Sequence, residues 1–285
     1  MPNSAFCILH SAFHLGLVGY PLGHSLSPKI HTAALKACGL DGEYSLYPIQ
    51  PDDKQGLKDL LARVRSGEIT GLNVTIPHKQ NVIELMDELT PTAKAIGAVN
   101  TIYLHENKLI GDNTDAQGFL TDLKNKFDFS SFILHPSSLV LGAGGSARAV
   151  VYALLTDGWN VAIAARHIEQ AHQLAESFPN YQLPITNLTD LQPSTFGLIV
   201  NTTPVGMTPN TDQSPLPENT NYSFDTIIYD LVYNPRETKL VKDARLQGLS
   251  ATTGLGMLIE QAAFAFEIWT GHNPPRNKLY NSVVE

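Results

Sequence analysis

The sequence predicts an α/β protein of two domains, each built on a mostly parallel sheet covered by helices on both faces. Three observations carry that expectation. From Leu15 onward, short apolar runs alternate with stretches of helical periodicity, as repeated β-α-β units require. The pattern loosens across residues 127–137, and a fresh series starts at Ser138. The length, 285 residues, is about twice that of a common single domain.

In the first half, a strand is expected at 15–19 and a helix at 28–38, with Ser27 placed to cap it and Pro28 in its first turn. A strand at 44–49, a helix at 52–65, a strand at 72–76 and a helix at 80–89 follow. Strands at 99–103 and 108–110 read as a hairpin, and a helix runs over 117–126. The second series reads as strand 139–141, helix 147–155, strand 161–165, helix 169–178, strands 198–201 and 226–231, and a last strand at 250–252. The helix at 257–270 is apolar on most faces and is expected to be buried between other elements.

Composition excludes several classes of function. Acids outnumber bases 27 to 19, a net charge of −8, and no Lys/Arg run exists to follow a phosphate backbone, so nucleic acid is not an expected partner. The two cysteines, Cys7 and Cys38, form no CxxC pair and no zinc-spaced cluster with histidine, which fits a reducing cytoplasm and no metal. No apolar run approaches the roughly 18 residues of a membrane span. In residues 1–14, Ser4-Ala5-Phe6 recurs as Ser11-Ala12-Phe13, but no basic segment or small-residue cleavage site accompanies it. The segment reads as a poorly ordered extension or an upstream start rather than a signal peptide.

The second half opens with a dinucleotide-binding pattern. Leu139 to Ala147 reads strand, glycine turn, helix start, with Gly142, Gly144 and Ala147 in the G-x-G-x-x-A positions. Gly142 permits the tight turn, Gly144 lets backbone approach a pyrophosphate, and Ala147 permits close helix-sheet packing, while the helix N-terminus offers unpaired N–H groups. After the next strand an NAD site would place an acid for the ribose hydroxyl; here Ala165-Arg166-His167 supplies a guanidinium suited to a 2′-phosphate, so NADP is the expected cofactor. Asn201-Thr202-Thr203-Pro204 follows a later strand, where loops of a doubly wound sheet face the ligand.

The first half carries polar strings that core packing does not require. Ser25 and Ser27 lie beside a helix N-terminus, a place for a carboxylate. Asn73, Thr75 and Lys79 end a strand, and Gly97-Ala98-Val99-Asn100-Thr101 and Asn113-Thr114-Asp115-Ala116-Gln117-Gly118 add two more clusters. His24, beside the serine turn, reads as a structural residue.

Together these strings resemble the shikimate dehydrogenase family, from Leu15 to the C-terminus. The resemblance rests on Ser-x-Ser-Pro, Asn-Val-Thr-x-Pro-x-Lys, Gly-Ala-Val-Asn-Thr, Asn-Thr-Asp-Ala-x-Gly, the glycine turn, Asn-Thr-Thr-Pro-x-Gly-Met, Asp230 to Pro235, and Gly254 to Leu258 leading to Gln261, all in the family's order. It implies a substrate-binding α/β domain of residues 15–126 and 254–285, an NADP-binding Rossmann domain of residues 127–253, and reversible NADPH-dependent reduction of 3-dehydroshikimate to shikimate. By the resemblance Lys79 and Asp115 are the catalytic pair. Ser25 and Ser27 hold the substrate carboxylate, Asn73, Thr75, Asn100 and Gln261 bond the ring hydroxyls, and Tyr233 lies at the substrate. Gly142, Ala143, Gly144, Gly145 and Ser146 cradle the pyrophosphate, Arg166 takes the 2′-phosphate, and Thr202, Leu231 and Gly254 lie near the nicotinamide. The implied partners are small molecules, with the chain a cytoplasmic monomer or homodimer.

The chemistry of that pair stands without the name, since reducing a ketone by hydride requires a proton for the developing alkoxide, which a lysine held by an aspartate supplies. Three departures from the family's pattern are visible: Ala165 and His167 flank Arg166 where Asn and Thr are usual, Thr32 follows His31 in place of Asn, and Pro91 replaces a polar residue. The competing functions are an NAD-using quinate/shikimate dehydrogenase, which would carry an acid near Arg166, and a non-catalytic metabolite sensor, which would not need both Lys79 and Asp115.

Overall fold

The apolar runs form strands, the periodic stretches form helices, and together they build two six-stranded sheets. The computed structural model describes residues 12–129, 136–187, 191–217 and 220–284. The first sheet comes from β1 (Phe13–Gly19), α1 (Ser27–Cys38), β2 (Gly42–Pro48), α2 (Lys54–Arg65), β3 (Gly71–Val74), β4 (Glu88–Leu89), α3 (Pro91–Ile96), β5 (Thr101–His105) and β6 (Lys108–Asp112). Its order is β2-β1-β3-β5-β6-β4, and β5 alone runs against its neighbours. Asn73 pairs with Thr101 and Thr101 with Asp112, so the start of β5 lies at the edge where β3 and β6 end. The polar strings at 73–79, 97–101 and 112–118 therefore meet at one edge.

After α4 (Asp115–Lys126) come β7 (Ser137–Leu141), α5 (Gly145–Thr156), β8 (Asn160–Ala164), α6 (Ile168–Glu176), β9 (Ile185–Thr186), β10 (Leu198–Asn201), β11 (Ile227–Asp230), α7 (Lys239–Leu246) and β12 (Ser250–Thr253). All six strands are parallel in the order β12-β11-β10-β7-β8-β9. That is the doubly wound arrangement, whose order reverses between β7 and β10 and opens a crevice at the strand ends there.

The last helices, α8 (Leu255–Thr270) and α9 (Arg276–Val284), return to the first sheet. Ile259, Phe266 and Trp269 of α8 and Leu279 of α9 share a core with Leu15, Leu17 and Ile30. Close approach of α4 and α8 depends on two glycines: a Cβ on Gly118 would lie 2.7 Å from the Gln261 nitrogen, and one on Gly256 1.8 Å from Asp122 Oδ1. Asp122 also ties α4 to the second sheet by accepting from the Tyr229 hydroxyl at 2.6 Å. Burial raises the pKa of both groups. Among the described residues no helix is long and apolar enough to cross a membrane, and no group of three or more His, Cys, Asp or Glu could hold a metal.

Several expectations need correction. Phe13 and His14, expected in the N-terminal extension, belong to β1 and pair with Gly42 and Glu43; the rest of that expectation, residues 1–11 with Cys7, lies outside the described residues. No helix forms over 80–89. Instead a 3₁₀ turn at Ile83–Leu85 precedes β4, because the Asp87 N–H donates to the Leu109 carbonyl at 3.0 Å while the Asp87 carboxylate takes the Leu109 N–H at 2.7 Å. Strand pairing thus replaces the helical ladder. Ser27 does not cap α1: it is the first helical residue, after Leu26, and its own N–H donates to Ser25 Oγ at 3.3 Å. The expected hairpin forms, turning through Glu106 and Asn107 at φ 48 and 61, the left-handed pair of a tight two-residue turn. Unanticipated elements are α3, β9, α7 and α9.

Candidate active site

Lys79 is held by its own backbone and by its neighbour's ring. Its carbonyl accepts the Val99 N–H at 2.8 Å, and the neighbouring His78 ring Nε2 hydrogen-bonds the Ile49 carbonyl at 2.8 Å. Asp115 opens α4, and Asn113 Oδ1 accepts its N–H at 3.0 Å, so one of the free N–H groups at the helix start is satisfied by a side chain. From these anchors Lys79 Nζ donates to Asp115 Oδ2 at 2.5 Å, with the two side chains only 11% and 6% exposed. A buried pair of charges needs further hydrogen bonds to offset desolvation. Asn100 provides one, donating from Nδ2 to Asp115 Oδ1 at 2.8 Å.

Asn100 is fixed in turn. Its Oδ1 accepts the Thr114 N–H at 2.8 Å and the Thr101 hydroxyl at 2.9 Å, and its Nδ2 lies 3.4 Å from Gln261 Oε1. Thr114 Oγ1 donates to the Gln261 carbonyl at 3.0 Å, which binds α8 into the same network. Asn73 joins through its Nδ2, which donates to the Asn100 carbonyl at 3.1 Å. Lys79, Asp115, Asn100, Asn73 and Gln261 are thus brought together. Thr75 is half-buried, its methyl against Gly19 at the end of β1, and its hydroxyl has no side-chain partner among the described residues. Ser27 is buried and Ser25 half-buried where α1 begins. Tyr233 stands in the loop after β11, where burial pushes its phenol pKa up, and no side-chain hydrogen bond joins it to the others among the described residues. His24 is exposed.

The second sheet meets this network at the glycine turn. Gly142 adopts φ +111, and a Cβ there would lie 2.7 Å from Thr202 Oγ1, so glycine is required on both counts. A Cβ on Gly144 would meet nothing within 4 Å, and α5 begins without a side-chain cap. Open space therefore faces unpaired N–H groups, the arrangement that accepts a phosphate. A Cβ on Gly145 would lie 3.3 Å from Lys79 Cβ, so the lysine stem packs against the turn. Ala143 and Ser146 are half-buried in it.

Arg166 is exposed after β8, with no side-chain partner among the described residues. The Thr202 hydroxyl is committed to the Leu141 carbonyl at 2.7 Å, so this residue presents its backbone and methyl. Gly254 packs directly on Leu231, whose carbonyl a Cβ would approach to 2.3 Å. Buried Asp230 accepts from Asn201 Nδ2 at 2.8 Å, the Thr238 hydroxyl at 2.7 Å and the Val232 N–H at 3.0 Å, which fixes the loops on either side of Leu231.

Sequence reasoning did not single out Asn113, Thr114, Thr101 or Asp230, although each lies inside a string it recognised. Tyr44 and Thr238 carried no sequence signal. Chemically, a lysine ammonium balanced by a carboxylate, shielded from water and set against a phosphate-accepting turn, can donate a proton to a developing oxyanion beside a nucleotide.

Comparison with known proteins places the chain in a family. Family profiles described as the shikimate dehydrogenase substrate binding domain, shikimate / quinate 5-dehydrogenase and the shikimate 5′-dehydrogenase C-terminal domain match residues 17–102, 129–199 and 254–283. Shikimate dehydrogenase (NADP+) of Methanococcus maripaludis is 40% identical over 277 residues, covering 95% of this chain and 96% of that one. A crystal structure of a shikimate dehydrogenase in complex with NADP+ superimposes with a TM-score of 0.88 at 36% identity, covering 96% of this chain and 95% of that chain. Shikimate 5-dehydrogenase from Thermus thermophilus, in complex with NADP(H) and shikimate, gives 0.84 at 37% identity over 95% and 98% of the two chains. With that identity along nearly its whole length and the same two-sheet fold, the chain belongs to the shikimate dehydrogenase family.

Proposed function

We propose that the chain is an NADP-dependent dehydrogenase that reversibly reduces 3-dehydroshikimate to shikimate. The observation that carries this reading is the buried Lys79–Asp115 pair packed against Gly145 of the glycine turn. Residues 13–126 and 254–285 are assigned to the substrate and residues 127–253 to the cofactor.

The residues present fit NADP. Gly142 to Ser146 leave room at an uncapped helix start for the pyrophosphate, and Arg166, exposed and without a side-chain partner among the described residues, suits a 2′-phosphate. Thr202, Leu231 and Gly254 line the nicotinamide end. When bound, NADPH supplies the hydride that converts the ketone to an alcohol. Lys79 donates a proton to the substrate oxygen as negative charge develops there, and takes it back in the reverse direction. Asp115 holds the ammonium in place and balances its charge, and Asn100 holds Asp115. Ser25 and Ser27 bind the carboxylate beside the α1 N-terminus, while Asn73, Thr75, Asn100, Gln261 and Tyr233 receive the ring hydroxyls. Two cysteines without a CxxC pair support a cytoplasmic setting, and we assign small molecules as the partners of a monomer or homodimer.

Initial rates with shikimate or quinate against NADP or NAD test the assignment. Shikimate with NADP should give the highest kcat/KM of the four; a higher value for quinate with NAD would replace it with the quinate reading, and no turnover in any pair would leave a sensor.

A further inference from the structure

A buried polar cluster lies beneath the substrate side, and the proposed proton transfer does not use it. Tyr44, on β2, donates its hydroxyl to Asn73 Oδ1 at 2.8 Å. The Asn73 nitrogen donates to the Asn100 carbonyl at 3.1 Å and lies 3.5 Å from Thr101 Oγ1. A backbone carbonyl only accepts, so Asn100 decides which end of the amide is nitrogen, and Tyr44 meets the oxygen. Both amide hydrogens and one lone pair are thereby committed within the protein, and among the described residues no donor takes the second lone pair of Oδ1.

The Tyr44 ring is held as firmly as its hydroxyl. His31 stacks on it with ring centres 4.3 Å apart and planes 4° apart, and Trp269 backs His31 at 5.4 Å. His31 is fully buried and neither ring nitrogen makes a hydrogen bond. Burial lowers its pKa to about 3 against a weaker opposing effect of the nearby Asn73 side chain, which does not reach hydrogen-bond geometry with either ring nitrogen, so His31 is a neutral flat platform at any working pH. Burial raises the pKa of the Tyr44 phenol well above its ordinary value, and the Ser27 side chain opposes that rise. Tyr44 thus neighbours both Ser27 and Asn73, the groups assigned to the substrate's carboxylate and ring.

We propose that Tyr44 is a positioning residue for substrate binding: seated on His31, it locks the Asn73 amide so that the remaining Oδ1 lone pair accepts from a ring hydroxyl. This rests on the assignment of Asn73 to the substrate. Tyr44 touches no reacting atom and acts through Asn73, which becomes a fixed acceptor selecting a ligand that offers a hydroxyl there.

Tyr44→Phe removes the donor and keeps the ring on His31. The shikimate KM should rise about tenfold, as loss of one buried hydrogen bond implies, with kcat and the NADP KM changed less than about twofold. In an Asn73→Ala background the same substitution should change the shikimate KM less than about twofold, because the route through Asn73 is already gone. An unchanged shikimate KM in Tyr44→Phe, or the same factor on both backgrounds, would overturn the proposal, the second outcome marking Tyr44 as structural. If Tyr44→Phe does not fold, His31→Ala carries the test: loss of the platform should raise the shikimate KM and spare that of NADP, and an unchanged shikimate KM overturns it. Wild-type protein that fails to oxidise shikimate removes the functional reading and this inference with it; active wild type with an indifferent Tyr44→Phe removes the inference alone.

Discussion

On the substrate side of the cleft, fixed side chains make the contact surface: Lys79, Asn100 and Asn73 are held, through Asp115, Thr114 and Tyr44, by hydrogen bonds of 2.5 to 3.1 Å. On the cofactor side that surface is the backbone of a glycine turn, a helix start and one exposed guanidinium. The contrast follows from the ligands assigned to each side. A ring with several hydroxyls is told from its isomers only by donors and acceptors held in direction. A pyrophosphate takes N–H groups from any helix start, and the turn has only to stay out of its way. Loss of the proton-transfer pair on the substrate side should therefore be catastrophic, and loss of a side chain on the cofactor side selective.

The largest expected effect is at Lys79. Lys79→Ala should lower kcat by roughly 10²- to 10⁴-fold while the shikimate KM changes much less, because the lost interaction is made mainly in the transition state. Asp115→Asn should also be severe, and the double variant should fall well short of the product of the two losses, since the pair shares a 2.5 Å contact and acts as one unit. Steady-state kinetics on the three proteins checks this. Near-normal kcat with a raised KM in Lys79→Ala would break the comparison, leaving the lysine a binding group.

Arg166 is the next test and the sharper one for the cofactor side. Arg166→Ala should raise the NADPH KM by about 10- to 100-fold, the worth of charge-assisted hydrogen bonds to a phosphate, and alter the NADH KM by less than about twofold. The folded state should be untouched, because the side chain is exposed. Equal losses with both cofactors would assign Arg166 to structure.

The same contrast explains what the sequence made legible. The glycine turn was readable because its function lies in one contiguous string and in residue types chosen for backbone freedom. Lys79, Asp115, Asn100 and Gln261 were readable only as separate strings placed by the resemblance, since Asn100 and Gln261 meet across 161 residues and the joining is done by α8. Tyr44 was not readable: its partner lies 29 residues away, and what brings them together is the pairing of β1 with both β2 and β3. The fold failed to show locally where tertiary pairing overrode periodicity. Val82, Ile83, Leu85, Met86 and Leu89 have helical spacing, yet all pack on one core through a turn and a short strand because β6 takes the backbone of Asp87.

The smallest expected effect concerns the cofactor side's buried side-chain knot. Asp230 is fully buried, and burial raises its pKa from 3.8 to about 6, with Thr238, Val232 and Asn201 opposing that rise through their hydrogen bonds. The folded protein therefore holds this proton more tightly than the unfolded chain between pH about 4 and 6. The stability it contributes is fully present below the unfolded pKa and is lost as pH rises through the folded one, a swing on the order of 3 kcal/mol. An amide at this position cannot ionise. In Asp230→Asn the amide oxygen keeps Asn201 and the Val232 N–H, and the Thr238 hydroxyl turns to accept from the amide nitrogen, while its oxygen still receives the Val241 N–H. Thermal melts from pH 5 to pH 8, which span about half of that swing, should show the variant gaining on the wild type by roughly 3 °C across that range. Parallel curves would mean that Asp230 ionises in the fold without penalty, its three donors offsetting burial in full, and the two sides of the cleft would then differ less in kind than their contact surfaces indicate.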